Sequence, residues 1–261
     1  MDQSIQYENT LLHYSVSGRG PKSLLVFHGF GQDRQAFSEF FKKISTEYTL
    51  YSFDLFFHGN SEWNQGEKPL EKSYWIKIFS VFLAHHKIDR FSVLGFSMGG
   101  KFALATLEAF PEKTENIFLL APDGIRVSPW YTLATFNSAT RQLFKSMILK
   151  PERFHWIANL AFRLGFINKG ILRFVELQMN TEKKREQVYY SWVVFRNLKF
   201  DLGRLASLIN SNNIGLTVYV GKYDQMITPQ SMERLLRQVK RHKFEILETG
   251  HNGLISKLNS L

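Results

Sequence analysis

Short, continuous apolar runs recur along the chain, and each leads into a polar or acidic residue. Residues 23–27 run into His28, residues 48–55 close around Asp54, and residues 91–96 stop at Ser97. Residues 116–121 stop at Pro122, Asp123 and Gly124, residues 216–221 lead up to Asp224, and residues 243–247 precede His251. The continuous run Leu24-Leu25-Val26-Phe27 suits a strand buried on both faces, and the other runs repeat the same grammar. Residues 5–17 alternate instead and predict two short strands with one wet face. Helix-like segments fall between the runs, at 34–47, 70–87, 99–110 and 228–241. The last carries Thr228 as N-cap and Pro229 at the first helical position, a start signal with a steric basis. Strands alternating with amphipathic helices predict right-handed crossovers and an α/β fold with a mostly parallel central sheet flanked by helices. Such sheets place their sites at the C-terminal ends of the strands, where the polar residues of this chain collect.

The alternation breaks after residue 121. From there to about residue 213 the pattern is helical, with Phe, Trp, Tyr, Lys and Arg interleaved. We read residues 122–213 as an inserted helical cap, or lid, and residues 1–121 with 214–261 as one core domain. Residues 121–200 hold 13 Lys+Arg against 5 Asp+Glu, most of the chain's net charge of +10, together with 14 aromatic residues.

Composition narrows the chemistry. The 261 residues contain no cysteine, which excludes disulfides, thiolate catalysis and Cys-ligated metal sites. The first residues lack the basic start and apolar stretch of an export signal, and no run approaches the roughly 18 apolar residues of a membrane span. A soluble cytoplasmic protein is the expectation. Nucleic acid is not expected as a partner, because no groove-reading motif accompanies the positive charge.

The segment Gly95-Phe96-Ser97-Met98-Gly99 fits G-x-S-x-G, with a strand before it and a helix after it. That context is what a nucleophile elbow requires, since glycines let backbones close around a serine held on a strained turn. A serine hydroxyl is a weak nucleophile near neutral pH and needs a base in contact, itself oriented by a third group. His251, in Thr249-Gly250-His251-Asn252-Gly253 after an apolar strand, is the candidate base. Asp224, in Gly221-Lys222-Tyr223-Asp224, lies between serine and histidine in chain order at another strand end and is the candidate orienting acid. Asp123 competes for that role, but Pro122 and Gly124 beside it suit a turn leaving the sheet, so we read it as structural or cap-anchoring. Asp54 precedes the serine and reads as a loop-stabilising acid. The backbone N–H of Met98, after the nucleophile, and that of Phe30, in His28-Gly29-Phe30-Gly31, are the candidate oxyanion-hole donors.

Four ordered motifs, HGFG at 28–31, GFSMGG at 95–100, GKYDQMITP at 221–229 and TGHNG at 249–253, make the chain resemble the α/β-hydrolase family in its capped, esterase-like branch. The resemblance implies Ser97 as nucleophile, Asp224 as acid, His251 as base, and Phe30 and Met98 at the oxyanion hole. A serine at the nucleophile position disfavours the dehalogenase and epoxide-hydrolase branches. The chain departs from the family at residues 54–61, DLFFHGNS, where D-x-R-G-x-G-x-S is usual and phenylalanines replace the arginine–glycine pair.

The implied reaction is hydrolysis of a small-molecule carboxylic ester or thioester through an acyl-enzyme, with no metal or organic cofactor. The aromatic insertion favours an apolar acyl group. Its basic charge is compatible with a solvated helical surface, an anionic substrate such as an acyl thioester of a phosphorylated carrier, or an anionic membrane surface. Carbon–carbon bond hydrolysis or elimination with the same triad, and non-catalytic binding of a small ligand on the same scaffold, are the alternatives.

Overall fold

A computed structural model describes residues 2–127, 129–166 and 169–258. The chain divides into two compact units, one made of residues 1–66, 70–126 and 197–261 and the other of residues 67–69 and 127–196.

The first unit is built on a nine-stranded sheet. Its strands are β1 (Asp2–Tyr7), β2 (Thr10–Ser17), β3 (Lys22–Phe27), β4 (Tyr48–Phe53), β5 (Glu62–Trp63), β6 (Phe91–Phe96), β7 (Thr114–Leu120), β8 (Gly215–Gly221) and β9 (His242–Leu247). The spatial order is β1-β2-β4-β3-β6-β7-β8-β9, with β5 paired to β2. Strands from β4 through β9 along this order pair in parallel, and the β1–β2, β2–β4 and β2–β5 pairs are antiparallel.

Consecutive positions of β3, β4 and β6 are buried, so these strands have both faces covered. Phe27 and Phe53 stack on one face beneath α2 (Lys72–His86) and α3 (Gly99–Ala109), where Trp75, Phe79, Phe82 and Phe102 are fully buried. The Trp75 indole N–H donates to Thr106 Oγ1 at 3.0 Å, so its polar atom is satisfied inside the core. On the other face Leu24, Val26, Leu94 and Phe96 pack with Phe37 and Phe41, the latter on α1 (Ser38–Ile44), and with Leu254, Ile255 and Leu258 of α11 (Leu254–Leu258).

Two predicted helices are shorter than their sequence pattern. The segment 34–47 yields only α1, because the Arg34 backbone is held elsewhere: its N–H donates to Asp54 Oδ1 and its carbonyl accepts from Ser52 Oγ. The segment 228–241 yields a 3₁₀ turn, Pro229–Met232, and one α-turn, α10 (Glu233–Leu236). There the Asn210 side-chain amide takes the Gln238 carbonyl and the Lys240 N–H, which sends the chain into β9. Thr228 is extended, as an N-cap should be, but its side chain makes no capping bond. The two-residue β5 left no readable run in the sequence.

The second unit is helical: α4 (Pro129–Thr135), α5 (Ser138–Leu149), α6 (Pro151–Arg163), α7 (Lys169–Met179) and α8 (Glu182–Val194). Asn137 and Thr140 form a reciprocal capping box at the start of α5, and Lys145 pairs with Glu67 at 2.6 Å. Its small core joins Phe144, Tyr189 and Trp192. The helix α9 (Leu202–Ser211) belongs to the first unit, where it packs with α3 and α10. Among the described residues, no helix is long and apolar enough to cross a membrane.

Candidate active site

Ser97 sits on the turn between β6 and α3 with φ of +50°, in the left-handed region that side-chain-bearing residues rarely occupy. The strain is held from several sides. The Ser97 N–H donates to Leu120 O on β7 at 2.9 Å, and its carbonyl accepts from the Gly100 and Asp123 N–H groups, both at 2.8 Å. The glycine at 99 is required by close approach, since a Cβ there would lie 2.1 Å from the Phe27 carbonyl oxygen. The outcome is a half-buried serine at the N-terminus of an eleven-residue helix.

The other two side chains reach it from the ends of β8 and β9. His251 Nε2 lies 2.9 Å from Ser97 Oγ, and His251 Nδ1 lies 2.6 Å from Asp224 Oδ2. The Asp224 carboxylate is fully buried, and its second oxygen accepts from the Met226 and Ile227 N–H groups at 2.8 and 2.9 Å. With both oxygens engaged by donors, the carboxylate is fixed in rotation. The two loops are stitched together by backbone bonds from Lys222 N–H to Leu247 O and from Tyr223 N–H to Thr249 O. Behind His251, α11 anchors the base loop in the core, and the Phe96 ring packs against the imidazole at 5.1 Å between centroids.

A carboxylate only accepts, so Nδ1 carries the imidazole proton and Nε2 presents its lone pair to the serine hydroxyl. This arrangement can draw the hydroxyl proton onto the imidazole and stabilise the resulting imidazolium. Neither the Phe30 N–H nor the Met98 N–H donates to an acceptor among the described residues. Met98 immediately precedes α3, whose N-terminus favours negative charge.

Residues that the sequence reading left without roles shape the loop bearing Phe30. The Gly29 N–H donates to Gln32 Oε1 at 2.9 Å. His28 is fully buried; its Nδ1–H donates to Gly29 O, and its Nε2 accepts from the Leu55 N–H at 3.0 Å, tying this loop to the one after β4. Burial holds the His28 pKa below the usual histidine value. Burial first, and the neighbouring His28 second, push His58 down to about 3. The His58 ring packs edge-on against Phe30 at 5.2 Å.

In the loop after β4, Asp54 accepts from the Arg34 N–H, the Arg34 guanidinium and the Asn60 N–H, as a loop-stabilising acid should. Gly59 is obligatory, because a Cβ would fall 2.1 Å from the Asp54 carboxylate at a φ of +53°. Phe57, standing where the family pattern has glycine, keeps a left-handed φ of +68°. A residue with a side chain thus holds the left-handed conformation here, and Phe56 is buried against Trp63. Asp123 does not approach the histidine as a bonding partner: its carboxylate pairs with the buried Lys101 ammonium at 2.9 Å and accepts from the Gly124 N–H. Among the described residues no group of three or more histidine or acidic side chains could hold a metal ion.

Residues 22–149 match the family model for the alpha/beta hydrolase fold. That stretch contains the elbow and the Phe30 loop, while Asp224 and His251 lie beyond it. An abhydrolase domain-containing protein of Schizosaccharomyces pombe is 30% identical over 120 residues, covering 45% of this chain and 42% of that protein. A Mycoplasma genitalium protein named as an esterase/lipase is 25% identical over 153 residues, covering 56% of this chain and 57% of that protein. The chain thus spans about half the length of the curated relatives it matches. A thermophilic esterase from Thermogutta terrifontis superposes with a TM-score of 0.73 at 18% identity, over 100% of this chain and 96% of that one, which speaks to the fold. The chain has the alpha/beta hydrolase fold.

Proposed function

We propose that this protein is a serine hydrolase of small-molecule carboxylic esters or thioesters. The observation that carries the reading is the unbroken hydrogen-bonded series from Ser97 Oγ through His251 to the buried Asp224 carboxylate. Ser97 Oγ attacks the acyl carbonyl while His251 Nε2 takes its proton, and Asp224 stabilises the imidazolium. The tetrahedral oxyanion accepts hydrogen bonds from the Phe30 and Met98 N–H groups, each worth about 10² to 10³ in rate. Collapse expels the alcohol or thiol, protonated by His251, and leaves an acyl-enzyme on Ser97. Water, deprotonated by the same imidazole, then releases the carboxylic acid and restores the serine. The esterase/lipase name of the Mycoplasma relative accords with this reaction.

Steady-state turnover of a p-nitrophenyl acyl ester chain-length series tests the proposal. The expected result is an initial burst of p-nitrophenol followed by slower turnover, with both lost in Ser97→Ala. Equal turnover by the Ser97→Ala variant would overturn it.

A further inference from the structure

The helical unit carries +7 of the chain's net +10, with 12 Lys+Arg against 5 Asp+Glu. Its helix α6 concentrates an unusual surface. Arg153, Trp156, Leu160 and Arg163 follow at spacings of three and four, so they lie along one side of the helix. All four are exposed, Trp156 at 67%. The flanks continue the pattern with Leu149 and Lys150 before the helix and Leu164 and Phe166 after it, all exposed. Among the described residues, Lys150, Arg153 and Arg163 have no acidic partner within 4 Å. The one acid of α6, Glu152, stands in its first turn, where the helix dipole holds it.

Large exposed apolar side chains at this density mark an interaction surface. Two features choose among occupants. Among the described residues these cations have no acidic partner, so the complementary surface is anionic. Tryptophan, leucine and phenylalanine set among arginines on a helix about 20 Å long match the interface of a bilayer, where rings enter the acyl boundary and guanidinium groups stay with phosphates. We propose that α6 and its flanks dock on an anionic phospholipid bilayer. This inference is independent of the hydrolase reading.

Co-sedimentation with phosphatidylcholine vesicles, with and without a minority of phosphatidylglycerol, tests it. The full chain is used with Ser97→Ala, so that lipid turnover plays no part. Binding is expected only to the phosphatidylglycerol vesicles and is expected to weaken with added salt. Arg153→Gln and Arg163→Gln should each cost about five-fold in affinity, and Trp156→Ala about ten-fold or more. The same charge removed by Lys240→Gln on the sheet-based unit should leave affinity unchanged. Circular dichroism verifies that each variant is folded. Equal binding to uncharged vesicles, or indifference to Trp156 and both arginines, would overturn the proposal. So would absence of vesicle binding alongside a Trp156-dependent dimer in light scattering, or alongside salt-dependent binding of RNA.

Discussion

Both units bury aromatic rings, but the second also leaves several large ones exposed. In the sheet-based unit aromatic rings are spent on the interior: Phe27, Phe53, Trp75, Phe79, Phe82 and Phe102 are all fully buried. In the helical unit Trp130, Phe136, Trp156 and Phe166 are exposed. Cations divide similarly. Arg34 is bound to Asp54 and Lys101 to Asp123 in the first unit, whereas Arg153 and Arg163 of the second have no acidic partner among the described residues. The contrast shows where the chain's information is directed. Residues of the first unit are read by each other, and three of them form the hydrogen-bonded series Ser97–His251–Asp224, whereas many of the second face solvent.

The sharpest way to break this contrast is at the Ser97–His251–Asp224 series. Ser97→Ala should lower kcat by about 10⁴ to 10⁶-fold with little change in the thermal midpoint, and ester turnover with calorimetry would check both. Asp224→Asn should cost about 10⁴-fold, because it loses the charge that holds the imidazole tautomer. Asp123→Asn should cost about tenfold or less, because its carboxylate bonds Lys101 and not His251. Reversal of that order in parallel kinetics would move the acid to the end of β7.

Next in size is a pair of tryptophans. Trp75→Ala empties a fully buried site and should destabilise by about 3–5 kcal/mol. Trp156→Ala removes an exposed ring and should change stability by less than about 0.5 kcal/mol. Urea unfolding of both variants checks this, and equal losses would mean that the helical unit consumes its aromatics internally.

The smallest effect concerns pH. His28 and His58 are neutral in the folded chain, with pKa values below the unfolded value of 6.5 and His58 down at about 3. Below pH 6.5 the unfolded chain binds more protons than the folded one, so stability is complete above that pH and falls as the pH drops. For His58 the loss approaches about 1.4 kcal/mol per pH unit as the pH falls below 6.5 toward its folded value, and His28 adds a loss of the same sign. Urea midpoints between about pH 6.5 and pH 5 should show this slope, reduced in His58→Gln.

How much of this was legible in the sequence depended on how local its causes are. The parallel strands could be read because short, mostly apolar runs lead into polar residues, most continuously where β3 and β6 are buried on both faces, and the elbow because backbone crowding at Gly99 admits only glycine. Ser97, Asp224 and His251 could be proposed from chain order and strand ends, and the structure brings the three side chains into hydrogen-bond contact. What could not be read depends on distant partners. Helix α1 starts late because Asp54 and Ser52 take the Arg34 backbone, and α10 stops early because Asn210 takes the groups that would extend it. Phe57 in a left-handed conformation breaks the local rule outright, at a loop pinned by Asp54 and Arg34.

The central claim is that Ser97 is the nucleophile. Incubation with a fluorophosphonate, followed by peptide mass mapping, tests it most directly. One adduct on the peptide carrying Ser97 is expected, greatly slowed in His251→Ala. An adduct on another residue, or none on the folded protein, would contradict the account.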